Sequence, residues 1–299
     1  MAQPIVDWRR SPASFALSAI PTLGWLVAFF IVPLALVWLY SFGENRSLTD
    51  IEITGSWHNY ARVFQPLYLK IFLKSIWVAG FTTLLCLIIG FPVAMAIAFS
   101  SERVKPWLLM LVMLPFWTNL LVRTYALIAV LRQDGYVNNT LQWLSETLHI
   151  VAPGGYTPLP LLYNNNAVIL GLVYVHLPFM VLPLYAALDR MDRSLIEASL
   201  DLGAGHIRTL FFVIGPLAMA GIVTGILITF VPALGAYLTP DLLGGPDGQM
   251  IANIIERQFK RANDWPFGSA LSFLLMYVTF IVIVFRSLAS RPDRSGRRI

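Results

Sequence analysis

Four histidines, one cysteine and 16 acidic side chains are what this 299-residue chain offers for metal, thiol or acid–base chemistry. Their spacing assembles none of it. His58, His149, His176 and His206 share no ligand spacing, and Cys86 has no second cysteine for a redox pair or a disulfide. No G-x-S-x-G, H-E-x-x-H or Walker A sequence is present, so no nucleophile elbow, zinc hydrolase helix or phosphate-cradling loop is written here. Gly203-Ala204-Gly205 begins like a dinucleotide fingerprint but lacks the third glycine and a preceding strand. The chain is expected to be no enzyme, to hold no metal or cofactor of its own, and to leave any ATP hydrolysis to other proteins.

Residues with a purposeful spacing do occur between Asp192 and Arg208, where they read as a docking element. Ser194 with Glu197 three residues later is a capping-box pattern, in which the serine oxygen takes a first-turn N–H and the glutamate reaches back. Leu195, Ala198 and Leu202 then share one helix face, and Ala198 and Ser199 are small enough for another surface to approach closely. Gly203 can take the left-handed conformation that ends a helix. A short helix, a glycine corner and a second helical stretch running to Gly215-Pro216 make a stiff projection.

What carries that projection is a membrane domain. The chain is 57% hydrophobic and 12% charged, with a mean hydropathy of +0.69, against about 25% charged in a soluble domain. That composition excludes a soluble globule, a disordered chain and a disulfide scaffold. Crossing ~30 Å of hydrocarbon takes about 20 apolar helical residues, and six segments meet that, at 17–41, 75–100, 107–131, 167–188, 211–238 and 267–285. The first is too long for the apolar region of a cleaved signal peptide, despite Arg9 and Arg10 before it. The fold class is therefore an all-α integral membrane protein. Its expected parts are a segment 1–16, a six-span domain 17–285 with the projecting loop at 189–210, and a basic tail 286–299.

Connections 1–16, 101–106, 189–210 and 286–299 carry twelve Lys and Arg in 58 positions, against eight in 95 for the opposite set. Both termini and the projecting loop are thus expected in the cytoplasm. The net charge of +5 is then a topology signal and requires no nucleic-acid partner. On the outer side, Val137, Leu141, Leu144 and Leu148 stripe one helix face opposite Asn138, Gln142, Ser145 and Glu146, and Ile251, Ile254, Ile255 and Phe259 stripe another helix. Such helices either rim an outward vestibule or lie on the bilayer surface.

None of the six spans contains Asp or Glu, and Arg123 is the one interior charge. Ion-coupled carriers use intramembrane carboxylates or histidines as relays. His176, alone beside Pro178, reads as a packed or capping residue. Energy, if used, enters from outside the chain.

Glu197-Ala198-Ser199, three residues, Gly203, nine residues, Val213, one residue, then Gly215-Pro216 resembles the E-A-A-x3-G-x9-I-x-L-P motif of bacterial ABC importer permeases. Glu197, Ala198, Gly203 and Pro216 match, while Ser199, Val213 and Gly215 depart from Ala, Ile and Leu. Further segments extend the resemblance over nearly the whole chain: Phe116-Trp117-Thr118-Asn119, Arg123-Thr124-Tyr125, Val181 to Tyr185, Pro240 to Pro246 and Asp264 to Gly268. They look like the spermidine/putrescine permeases of the PotB and PotH kind. The resemblance implies a type I ABC importer permease (MetI-like) architecture in the bacterial inner membrane. It also implies a second permease subunit, two cytoplasmic ATPases that use ATP and magnesium, and a periplasmic binding protein that delivers the polyamine. The ATPase-coupling role passes to Glu197, Ala198, Ser199 and Gly203.

Each site residue has a second reading. Glu197 also suits a cap. Asp264 with Pro266 suits a helix start as well as recognition. Asp241, beside Gly244 and Gly245, could meet a cationic cargo at the outer mouth or serve a turn. Trp117, Thr118, Asn119, Tyr125 and Tyr237 combine aromatic faces with polar groups and are expected along the pathway, where cation–π attraction to ammonium is worth ~1–2 kcal/mol; they equally suit interfacial anchoring. Arg123 would repel a cationic cargo and is expected to be paired structurally. Cys86 reads as a packing residue. Alternatives for the whole chain are the same importer class with another small solute, or a secondary carrier or channel.

Overall fold

A computed structural model describes residues 12–47, 50–150, 152 and 154–289. The expected terminal segments 1–16 and 286–299 lie outside the described residues up to 11 and from 290 onward. In chain order, α1 (Pro12–Leu26), a π-helical turn (Val27–Ile31) and α2 (Val32–Tyr40) form the first apolar rod. Then come β1 (Gly43–Asn45), β2 (Ile51–Ile53), α3 (His58–Val63), α4 (Pro66–Ala98), α5 (Lys105–Met113), a 3-10 turn (Leu114–Trp117), α6 (Leu120–Leu131) and α7 (Tyr136–Thr147). The remainder is α8 (Asn165–Asp189), α9 (Ser194–Asp201), α10 (His206–Thr209), a π turn (Leu210–Ile214), α11 (Gly215–Leu217), α12 (Met219–Leu234), α13 (Leu238–Leu243), α14 (Ile251–Lys260) and α15 (Trp265–Ala289).

All six expected apolar segments are helical, but they are not six uniform rods. Ala19–Tyr40, Pro66–Ala98 and Asn165–Asp189 are each long and apolar enough to cross a bilayer. The third and fifth segments are helix pairs bent by 91° and 71°, and in the sixth the apolar stretch Trp265–Ile281 is shorter. Both bends have local causes. At the third, Thr118 is extended (ψ 147°) and Asn119 opens α6 as its cap. At the fifth, Pro216 offers no N–H, the ladder slips so that Gly215 donates to Leu210, and the helix turns at Ala218.

The chain divides into two compact units. One comprises residues up to Gln65 together with Arg257–Val278. In it an antiparallel hairpin pairs Gly43 with Ile53 and Asn45 with Ile51, a two-stranded element in an otherwise helical fold. Buried Asn59 holds it, donating to the carbonyls of Ser41 (3.2 Å) and Gly43 (2.8 Å). Asp264 caps α15, accepting the Phe267 N–H at 3.3 Å. It also pairs with Arg62 at 2.9 Å, whose guanidinium lies 3.9 Å from the Phe267 ring centre.

The other unit, Pro66–Glu256 with the described chain from Thr279 on, is built on α4, α8 and α12. In a bilayer such helices gain little from hydrophobicity and associate by close approach and hydrogen bonding. Gly221 and Gly225, four apart on α12, face α8: a Cβ at Gly221 would lie 2.6 Å from Ala187 Cβ and 2.7 Å from the Pro183 carbonyl, and one at Gly225 would lie 2.7 Å from Met180 Sδ. Gly90 of α4 gives similar access to Met180 and Val181. Cys86, Ala94, Met180, Val181, Leu184 and Ala218 are fully buried among them. Cys86 is thus a packing residue, and burial pairs His176 Nδ1 with the Leu172 carbonyl at 2.8 Å, one turn back on its own helix.

Candidate coupling site

The projecting loop folds as α9, a corner and α10. Its cap differs from the expected box. Arg193, which makes no side-chain cap bond, precedes α9, and the Asp192 carboxylate receives the Ser194 N–H at 3.0 Å. Ser194 is already the first helical residue, so its hydroxyl cannot serve as N-cap, and Glu197 is left exposed. The bonds from Ser194 hold the Asp192 carboxyl below the usual carboxylate range. At the other end Gly203 has φ +83°, its N–H reaches the Leu200 carbonyl at 2.9 Å, and Ala204 N–H reaches Ser199 at 3.1 Å. That crossed pair is a Schellman closure, as the glycine suggested.

Two attachments that sequence reading missed fix α9 in place. Ser199 Oγ meets Thr209 Oγ1 at 3.0 Å, tying α9 to α10. Arg193 donates to the Ala98 carbonyl at 3.1 Å, at the C-terminal end of α4, where a cation also suits the helix dipole. Between α9, α10 and the end of α4 lies a groove of about 440 Å³, with Glu197 on its rim and Phe99, Ile196, Leu200 and Leu210 in its walls. The face bearing Leu195, Ala198 and Leu202 points away from the chain, Leu202 being 88% exposed. Ile207, Phe211 and Phe212 add further exposed apolar surface beyond the corner.

The six expected pathway residues fall on three elements. Trp117, 76% exposed, ends the 3-10 turn. Thr118 donates to the Pro115 carbonyl at 2.7 Å, and Asn119 Oδ1 caps α6 by accepting the Leu121 N–H at 2.8 Å. These two build the break; their polar groups are engaged with local backbone. Arg123, 6% exposed, completes it by donating to the carbonyls of Phe116 (3.2 Å) and Thr118 (2.9 Å). Its expected structural pairing is therefore with carbonyls and not with an acid, which is how a charge is met where no span carries a carboxylate. Tyr125 is exposed on α6. Tyr237 and Asp241 lie at and in α13, which packs against α6 and α8, and the Tyr237 carbonyl accepts from Asn253 at 2.7 Å.

In the connections expected on the outer side, α7 and α14 are helices as expected, but their polar residues do more than face water. Asn138, expected on the polar face, is buried and uses both ends of its amide, donating to the carbonyls of Arg132 and Leu159 and accepting from Leu159 N–H and Tyr156 Oη. Leu144 and Leu148 of the apolar stripe face outward instead. The start of α14 is docked rather than superficial: Met250 and Ile251 are fully buried, and Ile251 N–H donates to Ser75 Oγ at 2.8 Å.

A helical chain with long and broken apolar helices and a doubly closed loop at the end of its core has the build of an integral membrane protein. The match to known proteins makes this specific: over residues 87–290 the chain fits the family described as the binding-protein-dependent transport system inner membrane component, and it belongs to that family. Among curated relatives it is 39% identical to the spermidine/putrescine transport system permease protein PotB of Escherichia coli, over 90% of this chain and 95% of that protein. It is also 39% identical to PotB of Haemophilus influenzae, over 87% and 88%. A solved bacterial ABC transporter involved in importing the acidic polysaccharide alginate shares the fold, with a TM-score of 0.75 over 97% of this chain and 98% of that one at 17% identity.

Proposed function

We propose that this chain is the transmembrane permease subunit of an ATP-driven polyamine importer in the bacterial inner membrane, with both termini in the cytoplasm. Polyamine cargo is supported by the 39% identity to PotB along nearly the whole chain. A periplasmic binding protein hands the cargo over, a second permease subunit completes the pathway, and two cytoplasmic ABC ATPases dock on the loops of the permease pair, of which α9 is this chain's. The observation that carries the coupling role is α9 itself, closed at both ends by Asp192 and Gly203 while Glu197 and Ala198 stay exposed. A helix fixed at both ends and open on one face can transmit a push; a frayed one absorbs it. The acid-free spans favour a second reading, the same importer with a less charged solute, since a polyamine would have to rely on aromatic faces and on the partner subunit.

The test is ATP hydrolysis by the chain co-purified with its cognate subunits in nanodiscs, with binding protein loaded or unloaded with spermidine or putrescine. Stimulation by the loaded protein, abolished by Glu197→Lys, is the expected result. Stimulation by another solute alone removes the polyamine and keeps the importer. Absence of any associated ATPase, with uptake driven by an ion gradient, overturns both.

A further inference from the structure

On the cytoplasmic side of the α4–α8–α12 core lies an ion cluster that the coupling motif does not include. Lys105, the first residue of α5, is buried, and its ammonium lies 2.7 Å from the Asp189 carboxylate at the end of α8 and 2.6 Å from Glu102. Tyr185 also bonds Asp189. Lys105 is buried while the Asp189 side chain is one-third exposed, and each sits at the wrong end of its helix. A cation at the start of α5 and an anion at the end of α8 both oppose the backbone dipoles. Helix stability alone would place the two charges the other way round, so the pair is better explained by what it connects.

Asp189 lies three residues before Asp192, the cap of α9, and Arg193 just beyond it holds the end of α4. Lys105 starts the helix whose far end is the Trp117–Asn119 break and its Arg123 clamp. We propose that the Lys105–Asp189 pair is the positioning link through which displacement of α9 moves α5 and, with it, the break in the third apolar segment. This rests on the importer reading above. Arg193 gives the loop a hold on α4; Lys105 gives it a hold on α5, and that helix has no other ionic tie to the loop among the described residues.

The experiment uses the whole transporter in proteoliposomes with loaded binding protein, measuring spermidine uptake and ATP hydrolysis together. Lys105→Met combined with Asp189→Met removes both charges together, so that the buried Lys105 position is not left holding an unpaired charge. It is expected to keep ATP hydrolysis while uptake per ATP falls by about fivefold or more. Exchange of the charges, Lys105→Asp with Asp189→Lys, suits both helix dipoles and is expected to restore uptake per ATP to within about twofold of wild type. Glu102→Gln, altering a surface partner, is expected to leave the ratio unchanged. An apolar pair that assembles and couples like wild type overturns the link. So does an apolar pair that fails to assemble beside a fully active exchanged pair, because the ions then serve stability alone. Wild-type transporter that hydrolyses ATP on contact with loaded binding protein but takes up no spermidine defeats the polyamine reading; the ratio is then read with the solute that is taken up.

Discussion

Gly203 allows the rigidity of the proposed coupling loop to be tested with one methyl group. Its φ of +83° lies in the left-handed region, and a Cβ built there meets nothing within 4 Å. Gly203→Ala therefore adds no clash, and its entire effect is the backbone cost of holding an L-residue in that conformation, about 1–1.4 kcal/mol. At 1.4 kcal/mol per decade, the closed end of α9 loses roughly five- to tenfold in population relative to its frayed form. Gly205, two residues on, is the internal control: φ −70° and ψ 158° suit any residue, and its Cβ also has open space. Hydrogen exchange on the purified transporter reads the difference directly. The Leu202, Gly203 and Ala204 amides, bonded to Ala198, Leu200 and Ser199, are expected to exchange about five- to tenfold faster in Gly203→Ala and at the wild-type rate in Gly205→Ala. Gly203→Asn should fall between, since asparagine tolerates the left-handed region. Equal protection in Gly203→Ala and wild type, or equal loss in both alanine variants, would refute the argument that backbone conformation at Gly203 closes the helix.

Three further outcomes follow from the same geometry. Because the Asp192 carboxyl is held below its ordinary range by Ser194, its contribution to α9 is complete above the ordinary carboxylate value and lost as pH falls through the lowered one; first-turn amide protection of α9 should drop on acidification in wild type, and be low and pH-independent in Asp192→Ala. Arg123→Met leaves the Phe116 and Thr118 carbonyls without their charged donor and should cost about 2–4 kcal/mol, lowering the thermal midpoint, with Arg123→Lys recovering only part because one ammonium does not reproduce the guanidinium fork. Gly221→Ala should lower the midpoint more than Gly225→Ala, because its methyl meets the Pro183 carbonyl and Ala187 whereas the latter's meets the movable end of Met180; Met180→Ala should rescue only the second.

The apolar segments and the loop were legible because each depends on short-range pattern. Twenty apolar residues report a helix whatever surrounds them, and Gly203 after Leu202 reports a left-handed stop. The capping box failed for a reason of the same short range: Asp192 competes with Ser194 for the role of cap, and a carboxylate two residues earlier wins by bonding the Ser194 N–H and hydroxyl together. The break at Thr118 and Asn119 was also written locally, as a proline followed by a good N-cap residue, but the hydropathy of 107–131 concealed it. An apolar average cannot distinguish one helix from two. The polarity of Thr118 and Asn119, expected along the pathway, also satisfies the ends of a broken helix.

Contacts between distant residues were not legible at all. Lys105 and Asp189 are 84 positions apart, Arg193 and Ala98 are 95 apart, and Ser75 and Ile251 are 176 apart. Nothing in the local spacing of any of them marks a partner. Yet two of these pairs have members whose type is unfavourable where they stand: a cation opening a helix and an acid closing one in the first, and a hydroxyl in a fully buried position in the last. Such choices find partners far off in sequence besides the near ones, Glu102 for Lys105 and the Ile71 carbonyl for Ser75, and in a chain with so few charges the number of possible distant partners is small. On that basis Lys105 needed a carboxylate from the same end of the apolar helices, and the connections 101–106 and 189–210 offered Glu102 and the acids between Asp189 and Asp201. The sequence thus contained the demand for the link, while only the fold, which brings the end of α8 to the start of α5, decides that Asp189 answers it.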